Sequence, residues 1–253
     1  MNKCLLCSVL LGCWLISLTV SASAERVYRV GVEDVDYYPV LDFVHSPPRG
    51  VVKNVLDSFA EQTGVKFEYI PLPIQRFNSW YDTGRIDFRV PDNPRWSLTS
   101  QPSLIYSVPF LNLCEVLVVK AENRKMSPDN VTRIGTLMGF TPSTYWNQKM
   151  ESGAVRLVPD RSLKVLTRML LNDMVSGLDL DLASIHYQLK TLSLPPDLVA
   201  PLETVENPTI SYRMSTLNHP EIIRQFNQFM ARNKDKLTAQ TYAEYPHIGA
   251  PCY

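Results

Sequence analysis

The chain is short of histidine, of glycine and of the motifs that carry catalysis, and each shortage excludes something. Its four histidines, His45, His186, His219 and His247, stand apart, with none of the close spacing that zinc ligands need. Ten glycines in 253 residues leave no phosphate-cradling G-x-x-x-x-G-K-[ST] loop and no G-x-S-x-G elbow. Lys and Arg together number 25 and so do Asp and Glu, with no basic stripe, which argues against nucleic acid as a partner. No low-complexity linker interrupts the chain, and beyond its first two dozen residues no apolar run is long enough to span a bilayer. No cofactor and no metal are expected.

What is present begins with a leader. Lys3 precedes a continuous apolar run from Cys4 to Leu18, then Ala22-Ser23-Ala24 fits the A-x-A cleavage rule, and the charged pair Glu25-Arg26 follows. That order is the secretory pattern, so residues 1–24 are expected to be a cleaved signal peptide and the mature protein to lie in the periplasm. A retained anchor is the alternative, and Leu10-Leu11-Gly12-Cys13 loosely resembles a lipobox. Cleavage removes Cys4, Cys7 and Cys13, leaving Cys114 and Cys252, which could bond in an oxidising compartment or stay free.

The mature chain, Glu25 to Tyr253, alternates strand and helix patterns. Val27–Val32 reads as a strand, Val51, Val52, Val55, Leu56 and Phe59 recur at helical spacing, and Gly64 ends that helix. Val65, Phe67 and Tyr69 alternate as a strand, a helix is expected over Ile74–Thr83, and Ile86, Phe88 and Val90 form a third strand. The order returns later. Arg133–Leu137 is a strand, a helix starts at Pro142-Ser143, Ala154–Val158 is a strand, and Leu163 to Leu170 is helical. Leu178, Leu180 and Leu182 alternate as a strand, with Ser184 as N-cap of the next helix. Asp179-Leu180-Asp181 has the form of a metal-binding D-x-D, but its alternation favours a strand. This is an α/β protein with two doubly wound lobes. A strand over Leu113–Lys120 crosses between them, Thr209–Met214 returns, and a helical tail runs from Pro220 to Tyr245. The expected division is residues 25–114 and 210–253 for a discontinuous first lobe and 115–209 for the second, with hinge strands between them.

Ligands of open parallel sheets bind at the carboxyl ends of strands. Four loops qualify. Tyr37 and Tyr38 follow the first strand and could stack on a solute. Arg76 follows the second, at the start of the expected helix, where a cation opposes the macrodipole and so suggests a carboxylate partner. Asp92, Asn93, Arg95 and Trp96 follow the third, in the densest polar cluster of the chain. Thr141, Ser143 and Thr144 open a helix whose free N–H groups could hold an anion.

The whole mature chain resembles the type 3 family of bacterial extracellular solute-binding proteins, the amino-acid-binding kind. The matching pieces are Arg29-Val30-Gly31-Val32 with Tyr38-Pro39, Glu61-Gln62-Thr63-Gly64-Val65-Lys66-Phe67-Glu68, Gly84-Arg85-Ile86-Asp87 and Tyr106-Ser107-Val108-Pro109-Phe110. Ile134-Gly135 through Thr141, Gly177-Leu178-Asp179, and Pro220-Glu221 through Phe229 continue the order. The resemblance implies a type II periplasmic-binding-protein fold that clamps a small polar solute, typically an amino acid, between two lobes. It also implies a small-molecule ligand and an inner-membrane permease of an ABC-type transporter as partners, with the protein a monomer. Two family features are altered. The family's Thr-x-x-Arg segment, which holds the ligand carboxylate, is replaced by Pro91–Trp96, leaving Arg95 or Arg76 for that task. The family's ammonium-binding aspartate falls at Ser184. The resemblance points to a binding protein rather than an enzyme. Alternatives are a dehydratase of cyclohexadienyl acids on the same scaffold, using Asp36, Asp92 or Glu115 as its acid or base, and a sensory module without a transporter.

Overall fold

The structure is a computed structural model that describes residues 26–96, 103–246, 248 and 252. The leader and His247 lie outside the described residues. Along the chain, β1 (Val27–Glu33) leads through the short ribbon β2 (Asp36–Tyr37) and β3 (Leu41–Asp42) to α1 (Val51–Thr63). β4 (Lys66–Leu72), β5 (Phe88–Asp92), β6 (Ile105–Tyr106) and β7 (Leu111–Cys114) complete the first stretch. Next come β8 (Leu117–Lys120), β9 (Arg133–Leu137), α2 (Thr144–Glu151), β10 (Arg156–Asp160), α3 (Leu163–Leu171) and β11 (Gly177–Asp179). α4 (Leu182–Thr191), β12 (Val199–Pro201), β13 (Thr209–Thr216) and α5 (Pro220–Glu244) finish it.

Two sheets result. The first has the order β4-β1-β5-β13-β6, with β7 also paired to β13. β4 and β5 run parallel to β1, and β13 returns antiparallel beside β5. The second has the order β10-β9-β11-β8-β12, with β10 and β11 parallel to β9 and β8 antiparallel to β11. The parallel strands arise because each is followed by a chain segment that crosses one face before returning. α1 lays Val51, Val52, Val55, Leu56 and Phe59 into the first core, each side chain contributing about 1.5–3 kcal/mol of burial. Gly64 then stops the helix in the left-handed conformation, φ 74°, which a side chain would oppose. α5 covers the same core with Phe226 and Phe229, both packed on Phe59.

Four expectations need correction. The helix expected over Ile74–Thr83 is a short 3-10 helix, Ile74–Ser79. Asn78, Ser79 and Thr83 are weak helix formers, and the Trp80 indole N–H is held by the Pro73 carbonyl, which tightens the turn. The single crossover strand is two, β7 and β8, broken at Glu115-Val116 because its halves pair in different sheets. The third strand of the second unit ends at Asp179, and the N-cap of α4 is Asp181 rather than Ser184. The Asp181 carboxylate accepts from the N–H groups of Ala183 and Ser184.

Cys114 and Cys252 are disulfide-bonded, with Cα atoms 5.4 Å apart and a sequence separation of 138. A closed loop of that length restricts the unfolded chain strongly, a contribution typically of about 2–4 kcal/mol. The double variant Cys114→Ala/Cys252→Ala should therefore melt roughly 5–15 °C lower by calorimetry, and the wild type in reductant should match it.

Candidate functional site

The chain passes from the first sheet to the second at Glu115-Val116 and returns between Pro201 and Thr209. Where the carboxyl ends of β1 and β11 face each other lies a cleft of about 240 Å³. The first lobe contributes Glu33 from the end of β1, Tyr37, the 3-10 helix residues Gln75, Phe77 and Asn78, Trp96 and Tyr212. The second contributes Gly139, Phe140 and Thr141 after β9, and Asp179, Leu180 and Asp181 at the end of β11. Glu115, at the crossing itself, completes the wall.

Contacts cross the cleft. The Asp181 backbone N–H donates to the Tyr37 hydroxyl at 2.5 Å, and the rings of Tyr37 and Phe140 meet edge to face at 5.1 Å. Gln75 donates to the Met138 carbonyl at 3.4 Å. Gly139 has φ +98°, and a Cβ there would lie 2.9 Å from the Ile74 Cβ. The lobes are closed upon each other at this edge.

The cleft is acidic. Glu33 is 3 % exposed, and its Oε2 has no hydrogen-bond partner among the described residues. Burial, and secondarily the charge of Asp92, pushes the Glu33 carboxyl up to about 8. Asp179 is raised to about 7 by burial, with the Ser143 N–H and the Arg95 charge opposing the rise and Glu115 reinforcing it. Asp181 is raised to about 7 by burial alone, although its two capping N–H groups oppose it. None of these three forms an ion pair among the described residues, and no Lys, Arg or His is among the described residues that line the cleft. Aromatic faces enclose the carboxyls. Trp96 packs at steep angles on Phe77 and Tyr212, with ring centroids 5.8 and 5.4 Å away.

Of the residues singled out in sequence, Tyr37, Trp96 and Thr141 line the cleft. Arg76 is exposed and outside the lining. Arg95 is engaged by Glu115 in an ion pair. Asp92 is fully buried and serves Arg89, accepting from its Nε at 2.8 Å and its Nη2 at 2.7 Å and from the Ser215 hydroxyl. Asn93 shapes the loop, donating to the Ser211 carbonyl and accepting from the Arg95 N–H. Tyr38 packs on Tyr187, bonds the Tyr245 hydroxyl at 2.9 Å, and lies under the Arg49 guanidinium. At the start of α2, Ser143 gives its N–H to Asp179 Oδ2 at 3.0 Å, so an internal carboxylate already sits on that helix end. Thr144 is exposed, and Ser184 is buried inside α4; neither lines the cleft.

Sequence reasoning passed over Glu33, Asp179 and Asp181 as ligand groups. Glu33 sits in the last position of a β-branched strand, and a polar residue closing a buried strand was the signal available. Away from the cleft, Asp36, Asp42 and His45 bring three ligand atoms within 4.8 Å of one another, but Asp42 is already bonded by both His45 and Arg49.

No family model and no curated protein matches the chain. Solved structures do. An ancestral arginine-binding protein bound to arginine superposes with a TM-score of 0.68 at 17% identity, covering 88% of this chain and 99% of that one. The VFT2 domain of BvgS from Bordetella pertussis gives 0.67 at 15%, covering 87% and 93%. An ancestral amino-acid-binding protein that is a precursor of cyclohexadienyl dehydratase gives 0.65 at 16%, covering 87% and 95%. The chain therefore has the two-lobed α/β fold of periplasmic binding proteins.

The pH dependence of stability follows from Glu33. Its carboxyl is raised from 4.5 in the unfolded chain to about 8, so between those values the unfolded chain has lost a proton that the folded one keeps. Stability should fall as pH rises from about 5 to 8. Glu33→Gln should flatten that slope and melt higher than the wild type at pH 8, measured by thermal unfolding across the pH range.

Proposed function

We propose that the chain is an exported solute-binding protein that captures a small polar solute between its lobes and delivers it to an ABC-type permease of the inner membrane. In this reading residues 25–114 and 210–253 form one lobe and 115–209 the other. The periplasm is its compartment, reached through cleavage after Ala24. The observation that carries the reading is a single cleft whose polar groups come from both lobes, Glu33 and Tyr37 on one side and Asp179, Asp181 and Thr141 on the other. A solute touching both sides favours the closed arrangement in proportion to its extra contacts there, and a permease can then read closure. The solved relatives of like fold include the substrate-binding protein of an amino acid ABC transporter, which supports the same reading.

A second reading, a dehydratase on this scaffold, has the raised carboxyl of Glu33 in its favour, since such a group can hold a proton near neutral pH for a leaving hydroxyl. Against it, cyclohexadienyl acids carry carboxylates, and the described lining offers them no cation.

Thermal melts of the mature protein against amino acids, amines, sugars and small dicarboxylates test the proposal. A true ligand at a hundred times its dissociation constant adds about 2.7 kcal/mol, a rise of roughly 5–10 °C at this size. Silence towards every small solute would overturn it, and product formed from a cyclohexadienyl acid would favour the enzyme. Gly139→Ala places a Cβ against Ile74 and the Gln75 backbone, at 2.9 and 3.2 Å. That variant should fold, show a larger radius of gyration in solution scattering, and bind the same solute at least about tenfold more weakly, the loss expected when closure is opposed by about 1.4 kcal/mol.

A further inference from the structure

We propose that the solute is an aliphatic amine or diamine without a carboxylate, its N–H donors held by Glu33 of one lobe and by Asp179 and Asp181 of the other. The inference rests on the reading of the cleft as a solute site and assigns the chemistry of what enters it.

Charge is the first ground. The three carboxyls line one small cleft without an ion-pair partner among the described residues, and the described lining carries no basic side chain. A buried carboxylate without an ion pair is costly, so burial raises these carboxyls and an entering cation favours their ionised forms. The second ground is unmet hydrogen bonding. Glu33 Oε2 and Glu115 Oε2 are enclosed acceptors with no donor among the described residues. A quaternary ammonium would neutralise charge yet leave both acceptors empty, whereas a primary ammonium brings three N–H donors. The third ground is that the places suited to a ligand carboxylate are occupied from within. Arg95 is held by Glu115, Arg89 by Asp92, and the Ser143 N–H by Asp179. A carboxylate entering here would have to displace one of these carboxyl groups while standing beside the others.

The surroundings suit the rest of such a molecule. Phe77, Trp96, Phe140 and Tyr212 offer apolar faces to a methylene chain and π-faces to its charged ends. At about 240 Å³ the cleft is below the roughly 300–1,000 Å³ of sites for drug-sized ligands, so a short chain fits the class.

Proton linkage follows from the same arrangement. Glu33 feels the charge of Asp92 on β5 and shares the cleft lining with Tyr37 on β2, Tyr212 on β13, Glu115 at the crossing, and Asp179 and Asp181 of the other lobe. The cations nearby are already paired, Arg89 with Asp92 and Arg95, whose charge reaches Asp179, with Glu115, so the entering ammonium supplies the countercharge. With Glu33 raised to about 8 and Asp179 and Asp181 to about 7, amine binding near neutral pH should expel protons into solution.

Calorimetric titration of the mature protein with putrescine, agmatine, tetramethylammonium, glutamate and glutamine tests the assignment. Putrescine or agmatine should bind, tetramethylammonium at least about tenfold more weakly, and glutamate and glutamine not measurably. Affinity for putrescine, whose alkylammonium groups stay charged well above neutrality, should rise between pH 6 and 8 by up to roughly tenfold per pH unit for each proton released. Proton release itself is read by repeating the titration in buffers of different ionisation enthalpy. Glu33→Gln and, separately, Asp179→Asn should each weaken putrescine by tenfold or more while still melting cooperatively, and Arg95→Ala should leave it within about threefold. Binding of glutamate or glutamine without the amines, abolished by Arg95→Ala, would overturn the amine assignment and leave solute binding intact. Tight tetramethylammonium binding, or affinity that falls as pH rises, would also overturn it. Silence here with a thermal shift from a sugar or dicarboxylate would refute the amine alone, whereas silence throughout would refute both readings.

Discussion

The backbone N–H of Glu115 donates to the Pro208 carbonyl at 2.9 Å, tying together the two segments by which the chain passes between its sheets. The two crossings therefore lie side by side at one edge of the cleft. Glu33 and Asp179 end strands in separate sheets, yet they face each other because both strands point their carboxyl ends at the crossing. Glu115 belongs to the crossing and the cleft at once, and its side chain is ion-paired with Arg95. Cys114 immediately precedes it, and the bond to Cys252 fastens the far end of the chain beside the same point.

The two buried charge systems of the first lobe behave differently because only one holds an ion pair. Arg89 pairs with Asp92 and also donates to the Phe77 carbonyl, and Asp92 Oδ2 accepts from the Ser215 hydroxyl, while Asp92 Oδ1 has no hydrogen-bond partner among the described residues. Breaking such a pair from one side costs about 3–5 kcal/mol, so it is part of the fold's support. Glu33 has no such partner, and its burial works against the folded state as pH rises. A group that weakens the fold yet lines a cleft is the kind of local inconsistency that functional sites carry.

The alternation of strand and helix was legible because each element carries its own period. The apolar spacing of Val51 to Phe59 and the alternation in Arg133–Leu137 needed no tertiary information. The break at Glu115-Val116 was not legible, since an unbroken apolar run cannot show that its halves pair with different sheets. Nor was the end of β11. Asp179-Leu180-Asp181 alternates like a strand, and the capping role of Asp181 emerges only once α4 is in place. The site was less legible still. Tyr37, Trp96 and Thr141 stood out as loop aromatics and hydroxyls, and all three line the cleft. The arginines drew attention through their charge, but a sequence does not say which carboxylate will claim which guanidinium. Glu115 claims Arg95 across 20 residues, a pairing that exists only once the chain has folded back at the crossing.

The carboxylate of Asp179 on the N–H of Ser143 has a consequence for how ligand choice can change over time. A helix end that welcomes anions is here filled by the protein's own carboxyl group, so under the proposed amine binding the cleft would select by prior occupancy as much as by attraction. Replacing Asp179 would bare that helix end for an anion, with the backbone geometry already in place and Glu33 and Asp181 the remaining carboxyls to change. A scaffold arranged in this way can cross between ligand classes in very few mutational steps, because no new loop or strand has to be invented.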